Sequence, residues 1–171
     1  MQQKVFITFS IETNMDPDNQ FEHFDPNEIT KILQVQPIQT QSYDLECKEP
    51  PRSRRPGNPW CSSWIYRLGG YYDEEQYNHP DGYIQHLLEQ FNEQFLTVKQ
   101  NLIIDIQNRY NAICYLEIYL FSAQDSLTHV SIPSNIMKSL LTVNCSVDIY
   151  THSQSIEHYP RYEQKDMYKF K

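Results

Sequence analysis

The stretch that decides the fold is Ile113-Cys114-Tyr115-Leu116-Glu117-Ile118-Tyr119-Leu120-Phe121. Its side chains alternate in character, which is typical of a β-strand with two different faces. One face carries Cys114, Leu116, Ile118 and Leu120, and the other carries Tyr115, Glu117, Tyr119 and Phe121. The first face is suited to a hydrophobic core, whereas the second is aromatic and acidic.

A second strand with the same two faces is predicted at residues 145–150. Its apolar face has Cys145, Val147 and Ile149, and its other face has Ser146, Asp148 and Tyr150. A short helix is predicted between the two strands, starting near Pro133, with an apolar stripe of Ile136, Met137, Leu140 and Leu141. The strands together predict a sheet whose far side is made to contact another molecule.

The rest of the chain adds two strands and two helices. Residues 5–12 alternate as a half-buried strand, and residues 64–68 predict another strand that ends at Gly69-Gly70. A helix is predicted to begin after Asp25, an N-cap residue, with Pro26 in its first position. The longest helix follows Pro80-Asp81-Gly82, and its predicted apolar stripe is Ile84, Leu87, Leu88, Phe91, Phe95, Val98 and Leu102.

These elements predict one α+β domain of two layers over residues 1–152, followed by a polar tail over residues 153–171. Three helices are expected to cover one face of a mainly antiparallel sheet of four or five strands. The side chains expected against the helices are Val5, Ile7, Phe9, Leu116, Ile118, Val147 and Ile149. The residues expected on the opposite, contact face are Thr8, Ser10, Tyr115, Glu117, Tyr119, Asp148 and Tyr150. The alternative is that the tail or a proline-rich segment around residues 50–59 folds over that face.

The charge and hydropathy of the chain indicate which partners and which compartment to expect. The net charge is −8, although residues 48–67 contain five basic residues and one acidic residue. An acidic body repels phosphates and attracts basic proteins, so nucleic acid is not expected as a partner. The chain has no apolar run of membrane-spanning length and no signal-peptide pattern at Met1, which predicts a cytoplasmic protein.

The four cysteines do not form a CxxC pair or a cluster with histidine at ligand spacing. Cys114 and Cys145 fall on predicted core faces, whereas Cys47 and Cys61 fall in the proline-rich loop and could be exposed. We therefore expect neither a disulfide framework nor a metal site, and no motif in the sequence calls for a cofactor.

Several motifs resemble the bacterial DUF4279 family. They are Phe24-Asp25-Pro26-Asn27-Glu28-Ile29-Thr30, the following Pro37 and Thr40, the strand at Trp64, the long helix, and the closing Val147-Asp148-Ile149-Tyr150. The resemblance covers about Val5 to His152 and departs from the family in the arginine-rich loop, in residues 69–79 and in the tail. It implies a compact α+β domain without assigned catalytic residues. Some relatives resemble small proteins encoded beside secreted toxins, which implies an immunity role by analogy.

Three functional hypotheses follow. The first is a non-catalytic immunity protein whose contact face binds a basic toxin domain, since tyrosines supply contact area and carboxylates steer a basic partner. The second is a small-ligand binding protein that holds a nucleotide or similar metabolite through Arg52, Arg54, Arg55 and Arg67. The third is an enzyme that uses Glu117 and Asp148 as an acid–base pair. We favour the immunity protein, because no nucleophile, phosphate-binding loop or metal motif accompanies the carboxylates.

Overall fold

The computed structural model describes residues 4–13, 23–42, 61–71, 77, 80–121 and 130–152. The proline-rich segment, Arg52, Arg54, Arg55, Cys47 and the tail over residues 153–171 lie outside these ranges. Among the described residues, no helix has both the length and the apolar character needed to cross a membrane.

Five strands of the described chain form one mixed sheet, in the order β2-β3-β1-β4-β5. The strands are β1 (Lys4–Thr13), β2 (Gln39–Gln41), β3 (Ser63–Tyr71), β4 (Ala112–Phe121) and β5 (Cys145–His152). Neighbouring strands are antiparallel except for β4 and β5, which are parallel and joined by a helix. The predicted α+β class is confirmed, and β1 lies at the centre of the sheet.

The helices form the second layer on one face of the sheet. They are α1 (Pro26–Leu33), α2 (Pro80–Phe91), α3 (Thr97–Tyr110) and α4 (Ser134–Thr142). A π-helical segment, Asn92–Leu96, joins α2 to α3, so that these three pieces run on as one long helix. The prediction of three helices on one face is therefore confirmed.

Helix α1 begins as its sequence predicts. The Asp25 side chain accepts a hydrogen bond from the backbone N–H of Asn27 at 2.9 Å, and Pro26 occupies the first turn. One turn later, the Thr30 hydroxyl donates to the carbonyl of Pro26 and accepts from the indole N–H of Trp64. This pair of bonds satisfies a buried indole and fixes α1 over β3.

The core lies between the helices and the sheet. On β1 the alternating residues Val5, Ile7, Phe9 and Ile11 are all buried there. The Phe9 ring lies 5.5 Å from Phe91 and 5.3 Å from Phe95, centroid to centroid. Aromatic pairs at these separations add to the stabilisation from burial alone.

Val98 was expected in the core but is 63% exposed. The π-helical segment explains the error, because its hydrogen bonds span five residues instead of four and so rotate the apolar stripe that follows. After this segment the buried side of the helix continues at Ile103, Ile106 and Tyr110. A constant period of 3.6 residues therefore predicts the wrong buried positions after Leu96.

Ile149 was also predicted to lie in the core, but it is 46% exposed. It points to the helix side as expected, yet β5 is the last strand of the sheet among the described residues, so a neighbouring described strand lies on one side only. Within α4, Ile136 and Leu140 are buried, whereas Met137 and Leu141 are exposed, Leu141 by 70%. The apolar stripe of α4 is thus narrower than predicted.

The strand around Trp64 does not end at Gly69-Gly70 but continues through both glycines to Tyr71. Gly69 has a φ of +106°, and a Cβ there would clash with the backbone carbonyl oxygen of Val5. Glycine therefore allows β3 to pass close to β1 instead of breaking the strand.

Candidate partner-binding face

The sheet face turned away from the helices carries the predicted contact residues of β4 and β5. We call Tyr115, Glu117, Tyr119, Asp148 and Tyr150 the acidic-aromatic face. The parallel register places Tyr115 beside Ser146, Glu117 beside Asp148, and Tyr119 beside Tyr150. Asp148 is exposed and Tyr150 is 39% exposed, whereas the three β4 residues are half-buried. Strand alternation alone accounts for this grouping.

Two tyrosines form a flat aromatic surface on this face. The rings of Tyr119 and Tyr150 are stacked, with centroids 4.9 Å apart and planes inclined by 16°. The Tyr119 hydroxyl donates a hydrogen bond to Glu117 Oε2 at 3.0 Å. Each ring thereby restrains the other, so the surface needs little ordering before it can bind.

Glu117 is the electrostatic centre of the face. Burial raises the pKa of its carboxyl above the ordinary value, and the neighbouring Asp148 carboxylate acts in the same direction. The hydrogen bond from Tyr119 and the positive charge of Arg67 act against this rise. The direction remains upward, so Glu117 holds a proton more readily than an ordinary glutamate.

Arg67 joins this face through the strand register. Thr8 pairs with Arg67 on one side and with Glu117 on the other, and Glu117 pairs with Asp148. The four residues therefore form one row across β3, β1, β4 and β5. Arg67 Nε donates to Thr8 Oγ1 at 3.3 Å. This placement can be read from the sequence, since alternation puts Arg67 on the side of β3 opposite Trp64.

Thr8 and Ser10 lie on the predicted side of the sheet, but their side chains are not displayed to solvent. Both are 3% exposed. They are short side chains on the central strand, and each lies between longer side chains on β3 and β4, such as Arg67 and Glu117 for Thr8. The expectation that they are displayed to solvent is corrected, and the accessible half of the face belongs to β4 and β5.

A second feature of the same sheet side was missed by sequence analysis. Lys4 is buried, with its Nζ 4.5 Å from the ring centroid of Phe6 and 5.0 Å from that of Tyr71. The Arg67 guanidinium lies over Phe6 as well, at 5.1 Å. These cation–π contacts hold two cations on the β1–β3 half of this side. On this side of the sheet, Lys4 and Arg67 thus lie toward β1 and β3, whereas Glu117 and Asp148 lie toward β4 and β5.

The three cysteines that the structure describes, Cys61, Cys114 and Cys145, are not joined in disulfides. Burial raises the pKa of Cys61 to about 11 and that of Cys145 to about 12, and it raises the pKa of Cys114 as well. Cys114 is fully buried as predicted, and Cys145 is partly buried and packs against the core. Cys61 is buried as well, although its place in the sequence suggested that it could be exposed. Thiols with such pKa values stay protonated at neutral pH and are weak nucleophiles.

The described residues contain no group of three or more His, Cys, Asp or Glu side chains placed to hold a metal ion. Glu117 and Asp148 are the acidic pair that the enzyme hypothesis names, and they are direct register neighbours. Of the four arginines in the ligand hypothesis, Arg67 lies in the same row as these carboxylates, with Thr8 between it and Glu117. Arg52, Arg54 and Arg55 lie outside the described residues.

A family model described as "Domain of unknown function (DUF4279)" matches residues 3–154 of the chain. No curated protein and no solved structure matches it.

Proposed function

This chain belongs to the DUF4279 family, and we propose that it is a non-catalytic protein-binding domain, an immunity protein that neutralises a basic toxin by occluding it. The observation that carries the proposal is the acidic-aromatic face, where the stacked Tyr119 and Tyr150 adjoin the Glu117–Asp148 pair. Tyrosines in binding surfaces bury large areas at a low cost in side-chain entropy, and they often dominate the binding energy.

Charge supports a basic partner. The whole chain has a net charge of −8, and the exposed carboxylate of Asp148 lies beside the tyrosine stack. Such a surface attracts a basic protein over a distance and repels acidic ones. Nuclease domains carry basic surfaces because they must approach phosphates, so they are a chemical class of toxin that this face suits.

The immunity role itself derives from the family resemblance, since some relatives resemble proteins encoded beside secreted toxins. An immunity protein of this kind meets its toxin in the cytoplasm, which is where we place this chain. Direct occlusion requires one protein molecule for each toxin molecule and no turnover.

The two alternatives have less support from the described residues. For a small-ligand protein, Arg67 would have to bind the ligand, but its Nε already donates to Thr8 and its guanidinium lies over Phe6. For an enzyme, Glu117 and Asp148 would act as acid and base, but the Tyr119 hydroxyl already bonds the Glu117 carboxylate. Both side chains are thus already engaged in contacts within the fold.

Affinity capture from the native host tests the proposal. The wild-type chain should retain one stoichiometric basic protein, and the product of the neighbouring gene is the first candidate to identify. A triple variant, Tyr119→Ala with Tyr150→Ala and Asp148→Lys, should lose it while keeping its fold by circular dichroism. The control is Asp105→Lys, which makes the same charge change at an exposed position of α3 on the helix layer. Equal retention by the triple variant would contradict the proposal.

A further inference from the structure

The outer edge of β5 has the properties of a strand that can accept another strand. Among the described strands, the sheet ends at β2 and at β5. β2 is three residues long, whereas β5 is eight residues long and stays in unbroken register with β4. Natural sheets protect their edges with short strands, prolines, lysines or bulges. β5 has no proline, lysine or bulge, and its single acidic charge is Asp148.

Exposed apolar side chains flank this edge on the helix side. Ile149 is 46% exposed there, and α4, which packs against β5, exposes Met137 and Leu141. The β4–α4–β5 connection is expected to be right-handed, as nearly all such connections are. In that arrangement, the residue that follows each buried residue of α4 points away from α3 and toward the side of β5 that has no neighbouring described strand. Met137 and Leu141 occupy these positions after Ile136 and Leu140.

We propose that β5 binds an extended segment of a basic partner protein as a sixth strand of the sheet. Alternate side chains of the incoming strand would be apolar toward Ile149 and Leu141, and basic toward Asp148. Main-chain hydrogen bonds would supply affinity, and the alternating side chains would supply specificity. The inference rests on the proposed function and specifies how the partner docks beside the acidic-aromatic face.

Charge favours a basic partner over a second copy of this chain. A second copy would bring another net charge of −8, and its β5 carries no lysine or arginine to meet Asp148. Like charges on neighbouring strands destabilise pairing. A basic strand has the opposite effect, because it brings cations to both Asp148 and Glu117, which lie side by side.

Two synthetic peptides test this mode without knowledge of the natural partner. The first is Thr-Lys-Val-Lys-Val-Lys-Thr, with blocked ends, and the second has glutamate in place of each lysine. Hydrogen–deuterium exchange of the full-length protein should slow over residues 145–152 when the basic peptide is added, and the acidic peptide should have no effect. Equal effects of both peptides, or no slowing with the basic one, would overturn the inference. Self-association of the protein through residues 145–152 would overturn it as well.

A pair of variants shows whether the edge itself is the binding site. Ile149→Lys places a cation on the edge and should weaken binding of the basic peptide by about tenfold or more, from the loss of one buried aliphatic side chain alone. Val98→Lys introduces the same residue at an exposed apolar position of α3 and should leave binding unchanged. Equal weakening by both variants, with both folded by circular dichroism, would refute docking at β5.

The natural complex separates this inference from the proposed function. If a captured partner depends on the acidic-aromatic face while exchange over residues 145–152 stays unchanged, strand addition is refuted and the proposed function stands. If the basic peptide protects β5 but no partner is captured, the edge inference stands and the proposed function fails.

Discussion

Replacing Leu116 or Tyr150 by alanine should separate the core of the sheet from its contact face. Leu116 is fully buried against the helices, so Leu116→Ala leaves a cavity and should lower the free energy of unfolding by about 2–5 kcal/mol. Tyr150 is 39% exposed on β5, and its ring is stacked on that of Tyr119. Loss of an aromatic pair of this kind costs about 0.5–1.5 kcal/mol.

Urea unfolding followed by circular dichroism measures both changes. With a denaturant slope of about 2 kcal/mol per molar urea, the midpoint should fall by about 1–2.5 M for Leu116→Ala and by about 0.5 M for Tyr150→Ala. Partner affinity should change in the opposite order. Tyr150→Ala should weaken binding by about 2 kcal/mol or more, as a contact-dominating tyrosine does, whereas folded Leu116→Ala should bind almost normally.

The reasoning would be refuted if Tyr150→Ala destabilised the fold as much as Leu116→Ala. That result would mean that the acidic-aromatic face is a second core and not a binding surface. Unchanged binding by a folded Tyr150→Ala variant would leave the fold intact but remove the tyrosine stack from the interface.

Three further predictions address electrostatics and backbone geometry. Because the folded-state pKa of Glu117 is raised, its ionisation costs stability as pH rises above the ordinary value of 4.5, so Glu117→Gln should be more stable than wild type at neutral pH. That gain should vanish below the ordinary value in a pH series of urea midpoints, and a constant gain at all pH values would argue against it. Gly69→Ala should destabilise by about 1–3 kcal/mol because of the close β1 backbone and the positive φ, whereas Gly70→Ala, with open space around its Cβ, should not, and equal midpoints would disprove the close approach. Association with a basic partner should slow with added salt, since screening acts over about 8–10 Å, and stopped-flow rates should fall more for Asp148→Lys than for Asp105→Lys. A salt-independent rate would point to an apolar contact instead.

The alternating pattern of residues 113–121 and 145–150 was sufficient to predict which side chains share a face. It placed Leu116 and Ile118 in the core, where both are buried, and it placed Glu117 and Asp148 together on the opposite face. The register then shows that these two carboxylates are direct neighbours. Side-chain alternation is a local property of a strand, so a single sequence contains it. The family resemblance was also confirmed, over nearly the same residues.

The degree of exposure could not be predicted in the same way, because it depends on strand order. Ile149 follows the alternation correctly but lies on an edge strand, and Thr8 follows it correctly but lies on the central strand. The local periodicity of a strand does not show whether that strand lies at the edge or at the centre of the sheet. The π-helical segment likewise changes the phase of the long helix without a separate sequence signal, which is why Val98 was placed wrongly.

Titration of the captured partner's toxic activity with this protein tests the central claim most directly. If the chain acts as a non-catalytic occluding protein, inhibition should rise linearly and saturate at about one equivalent of protein per partner. Glu117→Gln and Asp148→Asn should then reduce affinity in steps while leaving the saturating ratio unchanged. Full protection at strongly substoichiometric amounts, with turnover lost in either variant, would contradict the account and establish an enzyme.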